Sequence, residues 1–277
     1  MPEGPEVART VRFLNGKLDG LEIEKASVSW PKTIANMSVE EFDEKMEHQP
    51  IETISRYGKY LIFHLSHGIW ICHLRMEGRF SIVDQLPEEP KERKHIHAVF
   101  KLSNHQLLCY RDTRKFGRMW FYDPVDNVHD LEALRDLGPD AFSDEFSGTY
   151  LHEKLAKRKT AIKTLLLNQQ IVAGIGNIYA DEILFQAGVH PLRPGQSLSM
   201  EECEKIANAA HEILKAALDK GGTTIRSFEG SDGHPGSFQN QLKVHRKENK
   251  PCPNCEQPIE KILVNNRSTY LCPKCQK

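Results

Sequence analysis

Two groups of residues have types and spacings that can do chemistry, and the first is the N-terminal run 2–6, PEGPE. Met1 is usually removed when proline follows, and its loss would leave a secondary amine at Pro2. A chain α-amino group titrates near ~7.7–8.0 and lysine near ~10.4, so far more of the amine is unprotonated at neutral pH. Such an amine can attack a sugar carbon and form a Schiff base, with Glu3 and Glu6 as candidate proton-transfer groups.

The same run is also typical of an ordinary helix start. Pro5 suits the first helical position, because its missing N–H needs no partner there. Glu3 and Glu6 would then only complement the positive end of the helix dipole. Taken alone, the run does not distinguish a nucleophile from a helix cap.

The second group is Cys252-x2-Cys255-x16-Cys272-x2-Cys275. Two CxxC pairs at this separation predict a closed tetrahedral four-thiolate site for one structural zinc ion. Metal binding would hold together a small hairpin that buries too little apolar surface to fold unaided. The alternative, a redox dithiol, requires two pairs that react independently. Arg267 and Lys274 would be available for phosphate in such a module.

A glycine-rich segment, 172–179, is a further candidate. Its glycines allow a sharp turn, and a helix that starts at Asn177 would present backbone N–H groups to a phosphate. A nucleotide-binding glycine loop is the competing interpretation, but that loop follows a strand and residues 165–171 have a helical pattern.

Several loop residues in the first half of the chain complete the candidate set. Lys59 lies where a strand begins, a position at which lysine is often only a solvated edge charge. Exposed Met and Phe side chains beside Arg can wedge into a base stack, although they are also common packing residues. The wedge candidates are Met76 in the run 73–78 and Arg114 with Phe116 in the run 112–117, where Lys115 is a further DNA-binding candidate.

Composition bounds the elements that must position these residues. The chain has 277 residues, of which 39% are hydrophobic and 27% charged, as in soluble globular proteins of about two domains. The formal charge is −1, but residues 241–277 carry eight basic and three acidic side chains, a net charge of +5. Neither a membrane span nor a secretory signal is present, and Cys72, Cys109 and Cys203 lie in apolar or helical stretches as free thiols. A cytoplasmic location is therefore expected.

The hydrophobic pattern predicts an α+β protein. A leading helix from Pro5 to near Gly20 precedes a β-sandwich or barrel that extends to about Tyr122, interrupted by one helix capped at Ser38. The predicted strands are 51–55, 60–65, 69–74, 96–102 and 106–111. A surface loop is expected over 84–93.

Beyond Tyr122 the apolar residues recur at helical spacing. Helices are expected over 127–137, around 162–167, from Asn177, and from the capping box at Ser199 to Gly221-Gly222. Residues 154–163 read as a basic segment. The expected organisation is a catalytic β-sandwich domain 1–125, a linker 126–150, a helical domain 151–228, a mobile lesion-recognition loop 229–240 and a zinc finger 241–277.

Together these features resemble the formamidopyrimidine-DNA glycosylase/endonuclease VIII family over essentially the whole chain. The resemblance rests on motifs in a specific order: Pro2-Glu3, Arg56-x-x-Lys59, Met76, Arg114-Lys115-Phe116-Gly117, Gly174 to Glu182 (a helix–two-turn–helix), Gly221 to Thr224, Pro235 to Gln239, and the β-hairpin zinc finger. It implies a monomeric bifunctional enzyme that acts on duplex DNA with an oxidised base or an abasic site.

The resemblance also implies roles for single residues. Pro2 would attack C1′ of a flipped nucleotide, and Glu3 would protonate the sugar-ring oxygen and assist β- and δ-elimination. Glu6 would help to position the tip and Lys59 would bind the lesion phosphate. His73, Asn177 and Arg267 are implied as phosphate ligands, and Met76, Arg114 and Phe116 as fillers of the vacated base position.

Within the family, the wedge residues and the 229–240 loop resemble the branch that removes 8-oxoguanine and formamidopyrimidines. Gly4 departs from that branch, which typically has Leu there, and resembles the oxidised-pyrimidine branch. Arg246 and Asn266 are further departures, since the family usually has glycine at both positions. The alternatives are therefore an endonuclease VIII-like enzyme specific for oxidised pyrimidines, or a non-catalytic zinc-finger DNA-binding protein, which would not need Pro2, Glu3 or Lys59.

Overall fold

The computed structural model describes residues 1–223 and 235–277, which form two compact units. The first unit contains Met1–Pro2 and Glu6–Asp136. The second contains Glu3–Pro5, Leu137–Thr223 and Ser237–Lys277. Helix α1, Gly4–Leu18, begins the chain as its pattern predicts, with Val7, Leu14 and Leu18 fully buried. Burial of each such side chain contributes roughly 1.5–3 kcal/mol.

The first unit is built mainly from an antiparallel sheet of eight strands among the described residues. In chain order they are β1 Glu22–Val28, β2 Gln49–Tyr57, β3 Tyr60–Leu65, β4 Gly68–His73, β5 Arg79–Val83, β6 Ile96–Leu102, β7 Leu107–Arg111 and β8 Arg118–Tyr122. The five predicted strands are present. The other three, β1, β5 and β8, lie within the range that was expected to be strand-rich.

This sheet folds over on itself. Its strand order is β5-β7-β6-β1-β2-β3-β4-β8, and β1 pairs with β2 at only two positions. Phe63 and Trp70, on β3 and β4, contact Phe80 on β5 with ring centroids 5.7 Å apart, although those strands are far apart in the order. The two halves therefore face each other across an aromatic core, which confirms the predicted β-sandwich.

Short helices complete the first unit. Helix α2, Val39–Met46, is capped by Ser38, whose Oγ accepts from the Glu41 N–H, and the 3-10 turn Pro31–Thr33 precedes it. Helix α3, Pro90–Arg93, lies in the segment that was expected to be only a loop.

The prediction of a helix over 127–137 is wrong. Only Val128–Asp130 forms a 3-10 turn, and Leu131 to Leu137 form turns and bends without a continuing helix. Asn127 caps the turn because its side chain accepts from the His129 N–H. An eleven-residue segment with apolar helical spacing is too short to be helical without packing that favours the helix.

The second unit contains four α-helices among the described residues: α4 Gly148–Leu155, α5 Ile162–Leu167, α6 Asn177–Ala187 and α7 Met200–Asp219. Helix α7 has the predicted capping box, with both halves formed between Ser199 and Glu202. Helix α4 was not predicted and occupies the start of the basic segment. The 3-10 turns Gly195–Ser197 and Phe238–Asn240 also belong to this unit.

The C-terminal module is a hairpin of β9 Glu260–Val264 and β10 Arg267–Leu271. Asn265 and Asn266 form its two-residue turn with φ of +47° and +58°. Both angles are left-handed, the conformation that asparagine tolerates better than most residues. Asn266 therefore accommodates the turn where the family usually has glycine.

Part of the predicted lesion-recognition loop, residues 229–234, lies outside the described residues. Cys72, Cys109 and Cys203 are buried free thiols, as expected, and burial raises the pKa of Cys109 to about 11. Among the described residues, no helix has both the length and the apolar character needed to cross a bilayer.

Candidate active site and nucleic-acid interface

The N-terminal tip is held by the start of helix α6. Glu3 is 3% exposed, and its two carboxylate oxygens accept from the backbone N–H groups of Ile178 at 3.0 Å and Tyr179 at 3.4 Å. The Gly4 N–H donates to the Gly174 carbonyl at 2.9 Å. Two of the α6 N–H groups that the sequence assigned to a phosphate are thus occupied by Glu3.

Glycine is required in the turn before α6, where the N-terminal tip contacts it. A Cβ on Gly176 would overlap the carboxyl group of Glu3, so only glycine leaves room for that side chain. Gly174 has a φ of +105°, which other residues rarely adopt. Pro2 and Glu6 are also buried. Because Met1 is present, the Pro2 nitrogen is here part of a peptide bond.

Lys59 lies in a two-residue turn with Gly58 between strands β2 and β3. It is only 5% exposed, which contradicts the interpretation as a solvated edge charge. The turn closes because Gly58 adopts a φ of +56° and its carbonyl accepts from Arg56 Nη1 at 2.7 Å. A cation is therefore held at a defined position beside the first residue of β3.

His73 ends strand β4, where it pairs with Tyr60 and their rings meet edge to face at 4.6 Å. Burial, together with the charges of Arg75 and Lys59, lowers the pKa of His73 to about 3. Its Nδ1 accepts from the Arg75 N–H at 2.9 Å. The ring is therefore neutral at physiological pH and carries its proton on Nε2, which can donate to a phosphate oxygen.

The wedge candidates lie on two neighbouring loops. Met76 is in the turn between β4 and β5 and is half-buried, whereas Phe116 is 48% exposed in the loop between β7 and β8. The Thr113 hydroxyl donates to the Glu77 carboxylate and connects the loops. The Arg114 guanidinium lies 4.7 Å from the centre of the Phe116 ring. Lys115 instead lies over Trp30, with its Nζ 4.0 Å from the ring centre.

Asp112 organises the second loop and was missed by the sequence analysis. It is buried, and its carboxylate accepts from the backbone N–H groups of Arg114, Phe116 and Gly117 at 2.8–3.0 Å. These bonds leave the Arg114 and Phe116 side chains facing outward. An aspartate two residues before an exposed arginine is an Asx-turn pattern, which was the available signal.

Asn177 and the residue after Arg267 are joined directly. The Ser268 carbonyl accepts from Asn177 Nδ2 at 2.9 Å and from Lys163 Nζ at 3.2 Å. Oδ1 of Asn177 is buried and has no hydrogen-bond partner among the described residues. Arg267 is exposed at the start of β10. Asn177 is thus hydrogen-bonded to strand β10, which begins with Arg267. The structure therefore brings together two of the three implied phosphate ligands.

Lys163 is fully buried, although the sequence placed it in a basic surface segment. Its Nζ donates to Asp181 Oδ1 at 2.7 Å and to Thr269 Oγ1 at 2.8 Å. Burial lowers the pKa of Lys163, and the Asp181 carboxylate opposes that shift. This ion pair ties α5 and α6 to β10, so it fixes the strand that carries Arg267.

The segment with departures from the family packs on the same helix. Glu182 accepts from the backbone N–H groups of Lys243, Val244 and His245 at 2.8–2.9 Å. His245 Nδ1 lies 2.7 Å from Asp181 Oδ2. Arg246 has a φ of +61°, which explains why glycine is usual there.

The four cysteines form a compact cluster. Their Sγ atoms all lie within 4.8 Å of one another, with 3.8 Å between Cys252 and Cys275 and 3.4 Å between Cys255 and Cys272. Zn–S bonds of 2.3 Å in a tetrahedron require sulfurs about 3.8 Å apart. Backbone N–H groups also point at the sulfurs of Cys252 and Cys272. The donor set fits one structural zinc ion.

Three family models match successive parts of the chain. Residues 1–119 match the formamidopyrimidine-DNA glycosylase N-terminal domain, 137–229 the formamidopyrimidine-DNA glycosylase H2TH domain, and 249–277 a zinc finger found in FPG and IleRS. In this order they define a DNA glycosylase with a helix–two-turn–helix and a zinc finger.

Relatives and solved structures match this chain over essentially its full length. Formamidopyrimidine-DNA glycosylases of Bacillus subtilis (strain 168) and Oceanobacillus iheyensis are 42% and 43% identical, over 100% of this chain and 99% and 98% of theirs. A Lactococcus lactis FPG mutant in complex with Fapy-dG containing DNA matches with a TM-score of 0.91 at 34% identity, covering 100% of both chains. Lactococcus lactis Fpg with an abasic site containing DNA matches at 0.90 and 34%, covering 99% of each.

The chain belongs to the formamidopyrimidine-DNA glycosylase family. It is a base-excision repair glycosylase for oxidised purines, in a family that combines glycosylase and AP lyase activities. The non-catalytic alternative is thereby excluded.

Proposed function

We propose that the chain excises 8-oxoguanine and formamidopyrimidines through a Schiff base on Pro2 and then cuts the strand by β,δ-elimination. The observation that supports this proposal most strongly is the fixed Glu3 carboxylate, one residue from the prospective amine and anchored by two backbone N–H groups. A carboxylate held in one orientation beside a nucleophile is what general acid–base catalysis requires.

The steps follow from the properties of these groups. The lone pair of the Pro2 nitrogen forms a bond to C1′ and the nitrogen loses its proton, while the glycosidic bond breaks with its electron pair leaving on the base, which takes up a proton. Glu3 donates a proton to the sugar-ring oxygen, and the ring opens to an iminium ion. The iminium acidifies the adjacent C–H, so that first the 3′ and then the 5′ phosphate is eliminated. Hydrolysis of the remaining imine frees Pro2.

The other candidate residues supply binding. Lys59, in the turn before β3, and neutral His73, at the end of the adjacent strand β4, would bind phosphates on either side of the lesion, while Glu6 supports the tip from within α1. Asn177 and Arg267 would bind the backbone from the second unit, where half or more of protein–DNA hydrogen bonds go to phosphate and sugar. Met76, Arg114 and Phe116 would fill the space of the flipped base, with Lys115 adding charge.

The partner would be duplex DNA with an oxidised base or an abasic site. A monomer suffices, because one chain contains every candidate catalytic, phosphate-binding and wedge residue. The buried free thiols fit a reducing compartment such as the bacterial cytoplasm.

Borohydride trapping tests the nucleophile. Protein from which Met1 has been removed is expected to give a covalent complex with an 8-oxoguanine:cytosine duplex and with an abasic duplex. The matched control is the same chain with Met1 retained, which has an inert amide at Pro2 and should not be trapped. Absence of a complex with the abasic duplex, where lesion preference is irrelevant, would refute the assignment. A parallel assay on an oxidised-pyrimidine duplex shows which of the two lesion classes the protein prefers.

A further inference from the structure

The ring of Phe142 occupies the space beside Gly4. A Cβ added to Gly4 would lie 2.9 Å from Phe142 Cε2 and 3.3 Å from the Gly174 carbonyl oxygen. Non-bonded carbon atoms at optimal separation are about 3.5–4.0 Å apart. Any side chain at position 4 would therefore have to displace either this ring or the tip itself.

The backbone on both sides of this contact is fixed to one short segment. The Gly4 N–H donates to the Gly174 carbonyl at 2.9 Å, and the Ala141 N–H donates to the Ala173 carbonyl at 2.9 Å. The tip and the loop that carries Phe142 are thus hydrogen-bonded to two consecutive residues, Ala173 and Gly174. The two hydrogen bonds therefore place the Phe142 ring next to Gly4.

We propose that Phe142 is a positioning residue for the catalytic tip. Its ring holds Gly4 against Gly174, and this placement directs the Glu3 carboxylate to the N–H groups at the start of α6. The inference deepens the proposed function and rests on it, since the orientation of Glu3 matters for catalysis only if Glu3 is the acid–base group.

This pairing also gives Gly4 a physical explanation. Leucine, which the sequence analysis expected at position 4 in a purine-specific enzyme, has no room beside the Phe142 ring. The residue at position 4 then depends on its packing partner and not on the lesion. Gly4 therefore does not argue for the oxidised-pyrimidine branch.

The test compares Gly4→Leu with the double variant Gly4→Leu/Phe142→Ala in the full-length processed protein. The readouts are the single-turnover rate of borohydride trapping on abasic DNA, the Kd for a duplex with an uncleavable tetrahydrofuran site, and Tm. Gly4→Leu is expected to slow trapping about 100-fold, the scale of a 1 Å misplacement, with Kd nearly unchanged. The double variant is expected to recover most of the rate, because the cavity left by the ring admits leucine.

Gly16→Leu is the matched control, because it makes the same change in the same helix and a Cβ there meets no atom within 4 Å. Its trapping rate should equal that of the unchanged chain. If Gly4→Leu does not fold, Gly4→Ala replaces it with the same comparison and a smaller loss.

Three results would overturn the positioning role: an unchanged trapping rate in Gly4→Leu, a double variant as slow as the single one, or a loss of binding equal to the loss of rate. Failure of the unchanged chain to be trapped at all would instead refute the proposed function, so the two failures are distinguishable.

Discussion

At the scale of single residues, the site depends on side chains whose surroundings differ from what their type suggests. Lys59 lies in a turn and Lys163 in an apolar run, and the first is almost fully and the second fully buried. His73 is likewise buried and neutral at the end of a strand. Burial of such groups costs free energy. The ion pair with Asp181 offsets that cost for Lys163, whereas the burial of Lys59 and His73 fits the binding roles proposed for them.

The lowered pKa of His73 predicts a pH dependence of stability. Below pH ~6.5 the unfolded chain binds a proton at this histidine, whereas the folded protein binds one only near pH 3. The free energy of unfolding therefore falls as pH falls through this window, by at most about 1.4 kcal/mol per pH unit. In urea unfolding at pH 7 and pH 5, His73→Gln should lose about 2 kcal/mol less than the unchanged chain.

The exposed His67, on the turn before β4, provides the control for this measurement. His67→Gln should keep the full pH dependence of the unchanged chain. Identical pH dependence in His73→Gln and the unchanged chain would contradict the assignment of a neutral, buried His73.

Single residues could be predicted from the sequence where type and spacing alone define the chemistry. The four cysteines are the clearest case, since their spacing predicted the cluster that the structure forms. Asp112 carried a local Asx-turn signal that was missed, since its partners lie two to five residues further on. Phe142 could not be predicted in the same way, because its role depends on the glycine that it meets in the folded chain, and that information is not local.

At the scale of elements, the start of α6 binds Glu3, the proposed acid–base group. Its N-cap, Gly176, has no side chain to accept a hydrogen bond, and Glu3 supplies the carboxylate from elsewhere in the chain. The helix dipole favours a negative group at this end. Glu3 therefore caps the helix that orients it.

Gly176→Ala should disrupt this arrangement. The added methyl group would overlap the Glu3 carboxyl, so the side chain must leave the α6 N–H groups. We expect base excision from 8-oxoguanine DNA to fall about 100-fold, since general acid–base catalysis contributes roughly 10²–10⁴-fold. Single-turnover excision at saturating protein is the measurement.

Gly16→Ala makes the same substitution in the exposed last turn of α1, where a Cβ meets nothing within 4 Å. It should leave excision unchanged and stabilise the protein by roughly 0.5–1 kcal/mol, because alanine is the better helix former. Normal excision in Gly176→Ala would show that the Glu3 contact is dispensable.

Elements with local signals were the predictable ones. Capping residues and apolar spacing marked α2 and α7, because their N-terminal ends are satisfied by residues within one turn. The segment 127–137 carries similar spacing but forms turns. Helix α4 had a local signal that was missed, since the Ser147 side chain caps its start. Strands β1, β5 and β8 lacked distinct local boundaries, and their pairing partners lie far away in the sequence.

At the scale of the whole molecule, we expect DNA binding to require the zinc module and the first unit to fold without it. Chelation of zinc, or Cys275→Ser, should unfold the β9–β10 hairpin and abolish binding to an abasic-site duplex, because Arg267 loses its support. The sandwich of the first unit has its own aromatic core and should stay folded. Binding by fluorescence anisotropy and near-UV circular dichroism measure the two outcomes.

Cys203→Ala is the control, since this buried thiol lies on α7 outside the cluster. It should retain zinc and DNA binding. Unchanged DNA binding by zinc-free protein would remove the module from the interface.

The Glu3 contact with α6 also sets an order of events during synthesis. The Ile178 N–H that holds this carboxylate is made 175 residues later. At ~5–20 residues per second, the ribosome needs about 9–35 s to reach it. Until then this anchor is missing and the tip is open to the enzyme that removes Met1, whereas Pro2 is buried once folding is complete. If Pro2 acts as proposed, Met1 is thus best removed from the nascent chain, and a chain that folds with Met1 in place is expected not to be trapped by borohydride.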